Sequence, residues 1–291
     1  VLAKTTTGVD ISVIICTFNR AGDLRHTLDQ FRGLRTHDLK WELLVVDNNS
    51  TDATKEVCAE FANLLPLRYI FEARQGKSFA LNRAVREGEA PLLVFTDDDV
   101  SVTPDWGVNL WKAAQAHPEI SFFGGRVFTR WERRPPRWLV KNAAWLPTNP
   151  HIDWGEAERE IADVTEIYFI GANFAVRKAV CRDGISYRED IGPSGECFTR
   201  HSRHGGEDYD LQIRLLGRGL KGLYVPSSVV YHRDPAYRMT EKYIRWWYVQ
   251  HGREGARLDP AMAAKPIWFG APRHLWREFL SSLLCYCATR Y

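Results

Sequence analysis

The N-terminal part of the chain alternates apolar runs with helical patterns, and this alternation constrains the fold more than any other feature. Four apolar runs predict buried strands at 11–17, 41–46, 67–71 and 92–95. Between them apolar residues recur at helical spacing, as they do over residues 24–31. Such alternation favours parallel strands joined by right-handed crossovers. We therefore predict an α/β protein with a mostly parallel sheet flanked by helices.

Three consecutive carboxylates, Asp97, Asp98 and Asp99, follow the fourth apolar run. Clustered carboxylates repel one another where water is scarce, so a cation is expected to neutralise them. Their hard oxygen atoms favour Mg²⁺ or Mn²⁺, which usually also bind substrate phosphates. Ligands of parallel sheets lie beyond the strand C-termini, and Asp47 ends the second run at that same edge. The alternative is a solvated acidic turn without a ligand.

Composition excludes some classes of protein. The 291 residues are 45% hydrophobic, and the formal net charge of +3 is too small to argue for a nucleic-acid partner. Six cysteines show no CxxC pair, which favours a reducing cytoplasm over a disulfide framework. We find no signal peptide and no run of the ~18 apolar residues that a membrane span needs. A cytoplasmic protein is therefore expected.

The alternation is lost after Trp106. Here we predict strands at 121–128, 168–176 and 222–231, a helix at 207–217, and irregular chain over 130–150 and 182–205. Segments 130–155 and 193–205 are expected to form an acceptor-side wall or lid. In the first half, Ser50 or Thr51 is predicted to cap the second helix.

Aromatic residues cluster in two places. Four tryptophans flank the irregular region, where they either stack on sugar rings or fill a core: Trp131, Trp138, Trp145 and Trp154. Residues 267–291 combine aromatic and basic side chains. They either contact the inner face of a membrane peripherally or form a helix docked on the domain, and we favour the docked helix.

Seven segments together resemble family-2 glycosyltransferases, in the usual order of that family. They are SVIICTFNR (12–20), VVDNNSTDAT (45–54), RQGKSFALN (74–82), FTDDD (95–99), IGANFAVRK (170–178), GGEDYDLQIRLLGRG (205–219) and VVYH (229–232). The resemblance covers residues 11–235. It implies a GT-A fold, a divalent metal, a nucleotide-diphosphate sugar donor and inversion at the anomeric carbon.

The resemblance also implies a domain organisation. A GT-A domain spans 1–235, with a nucleotide-sugar-binding half at 11–105 and an acceptor-side half at 106–235. A helical C-terminal extension covers 236–291. The acceptor is a glycan, a lipid-linked molecule or a small molecule, and the sequence does not choose among them.

The donor-side residues follow from their positions and from the resemblance. Thr17, Asn19 and Arg20 follow the first strand and should line the pocket, where Arg20 meets a phosphate or a surface carboxylate. Arg74 or Lys77 is expected to pair with the diphosphate, and a solvated turn is the alternative. The resemblance assigns Asp47 to the base, with an Asx turn as the alternative, and Asn82 to the nucleotide. It assigns Asp97 to the ribose or sugar and Asp99 to the metal. The triple aspartate leaves their division open, so Asp98 joins the substrate-binding set.

The same resemblance makes His232 a metal ligand, with a structural histidine as the alternative, and imidazole suits Mn²⁺ better than Mg²⁺. It makes Asp208 the catalytic base, with Glu207 as the alternate base or an acceptor-binding group. Ordinary helix capping is the competing interpretation of these two carboxylates. Gly171 and Asn173 resemble the sugar-facing strand end of the family, although a bulge with a satisfied asparagine also explains them.

The segment QHGREG (250–255) places Arg253 where processive polysaccharide synthases carry a Gln-x-x-Arg-Trp signature, but no tryptophan follows. We therefore expect a non-processive, metal-dependent transferase using a UDP-sugar. A nucleotidyltransferase is the first alternative, disfavoured because TFNRAGDL after the first strand is not the expected glycine-rich, basic signature. A catalytically silent carbohydrate-binding protein is the second.

Overall fold

The structure of the protein is a computed structural model. It describes residues 8–36, 39–141, 150–163, 169–182, 184–194, 205–258, 267–268, 271–272 and 280, with the backbone alone for 182, 252–258, 267–268 and 271–272.

The four predicted N-terminal strands form and lie next to one another. They are β1 (Ile11–Thr17), β2 (Trp41–Asp47), β3 (Leu67–Phe71) and β4 (Leu92–Thr96). Their order is β3-β2-β1-β4, and all three pairings are parallel. Every residue of β4 is buried, as expected for a parallel strand covered on both faces. The predicted α/β class is confirmed.

Three helices connect these strands: α1 (Ala21–Phe31), α2 (Thr54–Phe61) and α3 (Lys77–Glu87). The predicted cap of α2 is wrong. The helix begins at Thr54, and Asp52 Oδ1 accepts a hydrogen bond from the Thr54 backbone N–H at 3.1 Å. Ser50 Oγ instead accepts the backbone N–H of Asn19 at 2.9 Å, so it joins the loops after β1 and β2.

The second half continues the same sheet with mixed strand directions. Its elements are β5 (Val100–Val102), α4 (Trp106–Ala116), β6 (Phe122–Trp131), α5 (Arg137–Lys141), β7 (Arg159–Ile161), β8 (Phe174–Arg177), α6 (Lys178–Arg182), α7 (Glu207–Leu216) and β9 (Gly222–Asp234). The full order is β3-β2-β1-β4-β8-β6-β9-β5, with β7 beside β9. Strand β8 pairs antiparallel with both β4 and β6. Strand β6 pairs parallel with β9, whereas β5 and β7 pair antiparallel with β9, so the first half is all parallel and the second half is mixed.

Several second-half elements differ from their predicted forms. Strand β6 is longer than predicted and shifts register between Gly125 and Arg126 instead of breaking. The region 130–150, predicted to be irregular, contains the end of β6 and the whole of α5. Gly171–Asn173 forms a 3₁₀ turn before β8 rather than part of a strand.

A small second hydrophobic cluster lies apart from the main core. Leu139, Met239, Tyr243 and Ile244 form it, with Trp131, Trp138, Trp246 and Trp247 packed against it. It joins α5 to α8 (Glu241–Leu258), the helical part of the predicted C-terminal extension. Trp154 packs against the main core, and Trp145 lies outside the described residues.

The rest of the C-terminal segment is described only in part. Two short strands, β10 (Ile267–Trp268) and β11 (Ala271–Pro272), pair antiparallel with each other. In the described part of the chain, no helix combines the length and the apolar character needed to span a bilayer. Cys16, Cys58 and Cys181 are free thiols.

Candidate active site

A cavity of about 450 Å³ opens at the C-terminal edge of the parallel strands. It has the size of a small-ligand site. Eight of the predicted site residues line it: Thr17, Asn19, Arg20, Lys77, Asp97, Asp98, Asp99 and His232. Residues from the loops after β1 and β4 and from β9 therefore meet at one place. This is the edge where ligands of parallel sheets are expected, beyond the strand C-termini.

Asp97, Asp99 and His232 form a cluster suited to a divalent metal. One ligand atom from each lies within 4.8 Å of the other two. His232 Nε2 is 3.2 Å from Asp99 Oδ1 and 3.6 Å from Asp97 Oδ2. Asp99 Oδ1 is buried and has no hydrogen-bond partner, which is costly unless a cation satisfies it. Two carboxylates and one imidazole suit Mn²⁺, so the residues present fit the metal implied by the resemblance.

Backbone pairing holds this cluster together. The short strand β5 runs antiparallel to β9 and places Val100 opposite His232. The Arg233 backbone N–H also donates to the Asp99 carbonyl oxygen at 2.9 Å. The sheet itself therefore brings His232 beside the aspartate triplet, although the two are far apart in the sequence.

The imidazole of His232 is oriented by its other nitrogen. His232 Nδ1 lies 2.9 Å from the Arg233 carbonyl oxygen, which can only accept a hydrogen bond. Nδ1 must therefore carry the proton, and in the neutral ring Nε2 presents its lone pair to the carboxylates. Although burial opposes the charged ring, Asp99 and Asp97 raise the pKa of His232. A metal would compete with that proton for Nε2.

Two cations neutralise the aspartate triplet in this structure. Arg20 donates to Asp98 Oδ1 at 2.8 Å and to Asp99 Oδ2 at 2.6 Å, and Lys77 donates to Asp97 Oδ1 at 3.0 Å. Burial alone would raise the pKa of Asp97, but Lys77 and His232 hold it well below its ordinary value. His232 and Arg20 likewise lower the pKa of Asp99 against the effect of burial. Both metal-facing carboxylates are therefore ionised.

Asp98 differs from its two neighbours. The Thr17 hydroxyl donates to Asp98 Oδ2 at 2.7 Å, and Arg20 occupies the other oxygen. Burial raises the pKa of Asp98 to about 6, with repulsion from Asp99 adding to the effect. Asp98 is thus held by protein donors, and the structure groups Asp97 with Asp99 instead.

A second acidic pair, Glu207 and Asp208, begins α7. Lys77 Nζ lies 3.5 Å from Glu207 Oε1 while it contacts Asp97, so one cation joins the two acidic groups. Burial raises the pKa of Asp208 to about 7, and repulsion from Glu207 contributes. A carboxylate with such a pKa is matched to general-base chemistry near neutral pH.

Gly171 makes room for Asp208. Its backbone N–H donates to Asp208 Oδ2 at 2.8 Å. A Cβ at this position would lie 2.7 Å from the same oxygen, so a side chain there would displace the carboxylate. Gly171 thus positions Asp208, a role that the expected sugar-facing assignment did not include.

Seven predicted site residues whose side chains are described lie outside the cavity lining: Glu207, Asp208 and Gly171, described above, and Asp47, Asn82, Asn173 and Arg74. Asp47 accepts hydrogen bonds from the Ser50 backbone N–H and the Tyr69 hydroxyl. The amide of Asn82 exchanges two hydrogen bonds with the Tyr187 backbone.

Asn173 and Arg74 are also held by protein groups. The amide of Asn173 contacts Trp106, Ser228 and the Arg126 carbonyl oxygen. Arg74 pairs with Glu72. For Arg253, only the backbone in α8 is described, and its side chain lies outside the described residues.

Sequence reasoning missed several cavity residues. Asn48 fixes the loop before α3, because its side chain accepts the Gly76 N–H at 2.7 Å and donates to the Arg74 carbonyl oxygen at 2.7 Å. Its position in the DNNS turn was the available signal. Tyr237 and Arg238 lie on the 3₁₀ turn Ala236–Met239 after β9 and had no periodic signal. Of the predicted lid at 193–205, Pro193 and Ser194 line the cavity, and 195–204 lies outside the described residues.

The sequence model described as Glycosyl transferase family 2 matches residues 12–184. Hyaluronan synthase of Pasteurella multocida is 22% identical over 251 residues, which cover 78% of this chain and 25% of that protein. The chain thus spans about a quarter of the length of the first curated relatives it matches.

Two solved structures share the fold. S. aureus TarS 1-349 in complex with UDP-GlcNAc has a TM-score of 0.59 at 17% identity and covers 78% of this chain and 59% of that one. Mannosyltransferase PcManGT from Pyrobaculum calidifontis, in complex with GDP-Man and Mn²⁺, has a TM-score of 0.56 at 19% identity and covers 90% of this chain and 65% of that one. The expected GT-A architecture is confirmed.

Proposed function

Because the chain belongs to glycosyl transferase family 2, we propose that it transfers a sugar from a nucleotide-diphosphate sugar to a hydroxyl group with inversion of configuration. The acceptor is a glycan, a lipid-linked molecule or a small molecule. The observation that carries the proposal is the convergence of Asp97, Asp99 and His232 beside the Glu207–Asp208 pair. The match to the family model ends before Asp208 and His232, so their roles rest on geometry.

Asp97, Asp99 and His232 are the residues that would hold Mn²⁺ or Mg²⁺. Such an ion supplies a counter-charge to the donor diphosphate as it leaves the sugar. One ligand atom of each residue lies within 4.8 Å of the other two and both carboxylates are ionised, which favours cation binding. Mn²⁺ accompanies GDP-Man in PcManGT, which supports the same assignment here.

Asp208 is the proposed base. It accepts the acceptor hydroxyl proton while the hydroxyl oxygen bonds to the anomeric carbon and the bond to the diphosphate breaks. Gly171 holds one oxygen of Asp208 in place, and burial keeps its proton affinity high enough for this step. Lys77, which contacts both Asp97 and Glu207, keeps the acidic groups from repelling one another.

The remaining donor residues are proposed from the cavity lining and from the family resemblance. Thr17, Asn19, Arg20 and Lys77 line the space that a nucleotide would fill. Asp47, Asn82, Arg74, Asn173 and Arg253 stay predictions, as do the domain boundaries. We keep UDP as the first nucleotide to test, although UDP-GlcNAc and GDP-Man both occur in structures of the same fold. Non-processive action and a cytoplasmic location also stay predictions.

A panel of radiolabelled UDP- and GDP-sugars, incubated with protein, Mn²⁺ and simple acceptors, tests the proposal. We expect sugar transfer or slow donor hydrolysis, with an inverted anomeric centre in the product by NMR. Pyrophosphate release from a nucleoside triphosphate would instead indicate a nucleotidyltransferase. Sugar binding without any turnover would indicate a carbohydrate-binding protein, and either result would overturn the proposal.

A further inference from the structure

Three arginine and lysine side chains of the described residues line the cavity: Arg20, Lys77 and Arg238. The first two are already engaged. Arg20 uses both terminal nitrogens on Asp98 and Asp99, and Lys77 contacts carboxylates on both sides. A substrate phosphate would therefore have to share the donors of Arg20 and Lys77 with carboxylates of the protein.

Arg238 is less completely paired. Its nearest carboxylate is Asp234, with Nη1 3.6 Å from Asp234 Oδ1, longer than a hydrogen bond. The Arg238 side chain is 17% exposed, and its Nε atom is buried without a hydrogen-bond partner. A guanidinium carries five N–H donors, and leaving them unsatisfied in a buried place costs free energy.

Asp234 accounts for the position of Arg238 without using up its donors. Asp234 is fully buried, and neither of its carboxylate oxygens has a hydrogen-bond partner. The opposite charge of Asp234 attracts the guanidinium, and the ring of Tyr243, 6.0 Å from the Arg238 guanidinium carbon, supports it from another side. The arrangement holds a cation on the cavity wall with donors to spare.

We propose that Arg238 binds the diphosphate of the donor and balances the charge that this group gains as it leaves. The inference rests on the proposed transfer reaction. When the bond from the anomeric carbon to the β-phosphate oxygen breaks, its electron pair stays on that oxygen. The acceptor proton goes to Asp208, and the diphosphate gains one negative charge. A guanidinium suits this site because its planar donors match phosphate oxygens in pairs.

Arg238 adds a third candidate to Arg74 and Lys77, the cations that the sequence suggested for this task. Arg74 pairs with Glu72 and lies outside the cavity lining. Arg238 also lies on the turn that directly follows β9, the strand carrying His232. The sheet thus delivers a proposed metal ligand and a proposed diphosphate ligand from one continuous segment.

Calorimetry with UDP, UMP, GDP and GMP in the presence of Mn²⁺ tests the inference. We expect Arg238→Gln to weaken binding of the preferred nucleoside diphosphate by about 10–100-fold, since charge-assisted hydrogen bonds are lost. Binding of the matching monophosphate should change little, because it lacks the β-phosphate. Arg238→Lys should recover part of the loss. Arg245→Gln, an exposed arginine on α8, is the control and should behave as wild type.

The double variant Asp234→Asn/Arg238→Gln separates phosphate binding from structural pairing. It removes both buried charges together, so no uncompensated carboxylate is left to unfold the protein. We expect its diphosphate affinity to stay as low as that of Arg238→Gln. Wild-type affinity in the double variant would show that Arg238 only neutralises Asp234, and would overturn the inference.

The outcomes also separate this inference from the proposed function. If wild-type protein prefers a diphosphate and Arg238→Gln keeps the same preference, Arg238 is not the ligand and the proposed function stands. If wild-type protein does not distinguish UDP from UMP or GDP from GMP, the nucleotide-sugar assignment fails, and the inference fails with it.

Discussion

The aspartate triplet after β4 and the Glu207–Asp208 pair at the start of α7 are both buried acidic groups, yet they hold protons differently. In the triplet, Lys77, His232 and Arg20 lower the pKa values of Asp97 and Asp99 against the effect of burial. In the pair, burial and the neighbouring carboxylate raise the pKa of Asp208 to about 7. Lys77 contacts both groups.

Under the proposed function, this difference divides two tasks among similar side chains at one site. Carboxylates that stay ionised suit a metal, while a carboxylate that titrates near neutral pH suits a proton acceptor. Burial acts on all of these carboxylates, and the cations beside Asp97 and Asp99 outweigh it there but not at Asp208. Substitutions that exchange or remove these cations and carboxylates should therefore change one task at a time.

The largest expected effect comes from Asp208→Asn. Loss of the base should slow sugar transfer by about 10²–10⁴-fold, with donor affinity unchanged, because the metal-facing residues remain. Single-turnover rates and calorimetry measure the two quantities. Asp190→Asn, an exposed aspartate paired with Arg188, is the control. A near-normal rate in Asp208→Asn would move the base to Glu207 or elsewhere.

The next effect is expected for Asp99→Asn. Removal of a ligand carboxylate should weaken Mn²⁺ binding by about 10²-fold or more, since even indirect support of a ligand is worth about 10–100-fold. Asp98→Asn should weaken it less, because Thr17 and Arg20 hold that carboxylate. Titration of free Mn²⁺ by electron paramagnetic resonance measures both. Equal losses in the two variants would contradict the distinction between Asp98 and Asp99.

A smaller effect is expected for Gly171→Ala. The new Cβ would meet Asp208 Oδ2 at 2.7 Å and displace the carboxylate from its position. A displaced catalytic group can cost up to about 10²-fold in rate, and we expect about 10-fold or more with Mn²⁺ affinity intact. Gly22→Ala is the control, because a Cβ there meets no atom within 4 Å. An unchanged rate would show that Asp208 does not need this position.

The smallest effect is the pH dependence. Because burial raises the pKa of Asp208 to about 7, the base becomes protonated below that pH. The value of kcat/KM should fall about tenfold per pH unit on the acid side, and this limb should be absent from the residual activity of Asp208→Asn. Asp208 also makes the free energy of unfolding depend on pH. Because the pKa of Asp208 is higher in the folded than in the unfolded protein, its ionisation lowers the free energy of unfolding as the pH rises from about 4 to about 7. A salt-bridged carboxylate has the opposite effect. Asp208→Asn should accordingly melt no lower than wild type at pH 8.

The parallel half of the fold was predictable because its signals are local. Each apolar run between turn residues specifies its own strand, and helical spacing specifies the intervening helix. Asp97–Asp99 could be placed at the site for the same reason, since they directly follow a strand whose direction was known. The α2 cap was mispredicted because Ser50 Oγ accepts a hydrogen bond from the Asn19 backbone N–H in the loop after β1. The local sequence around α2 does not reveal this long-range contact.

The metal cluster could not be derived from local pattern alone. His232 meets Asp99 because the three-residue strand β5 pairs with the end of β9. A strand that short has no readable period, and the predicted last strand ended one residue before His232. Arg238 was missed because a 3₁₀ turn gives no periodic signal. The roles of Asn82 and Asn173 stay predictions, since a buried amide held by protein groups looks the same in sequence as an amide facing a ligand.

The pairing of β5 with β9 also has a consequence for redesign. Main-chain hydrogen bonds, not side chains, set the separation of Asp99 and His232. A softer or harder donor can therefore be exchanged at either position while the spacing of the two backbones is retained. If the proposed metal binds here, its identity depends on the side chains that a fixed pair of strands carries, so selectivity among divalent ions can be altered without changing the fold.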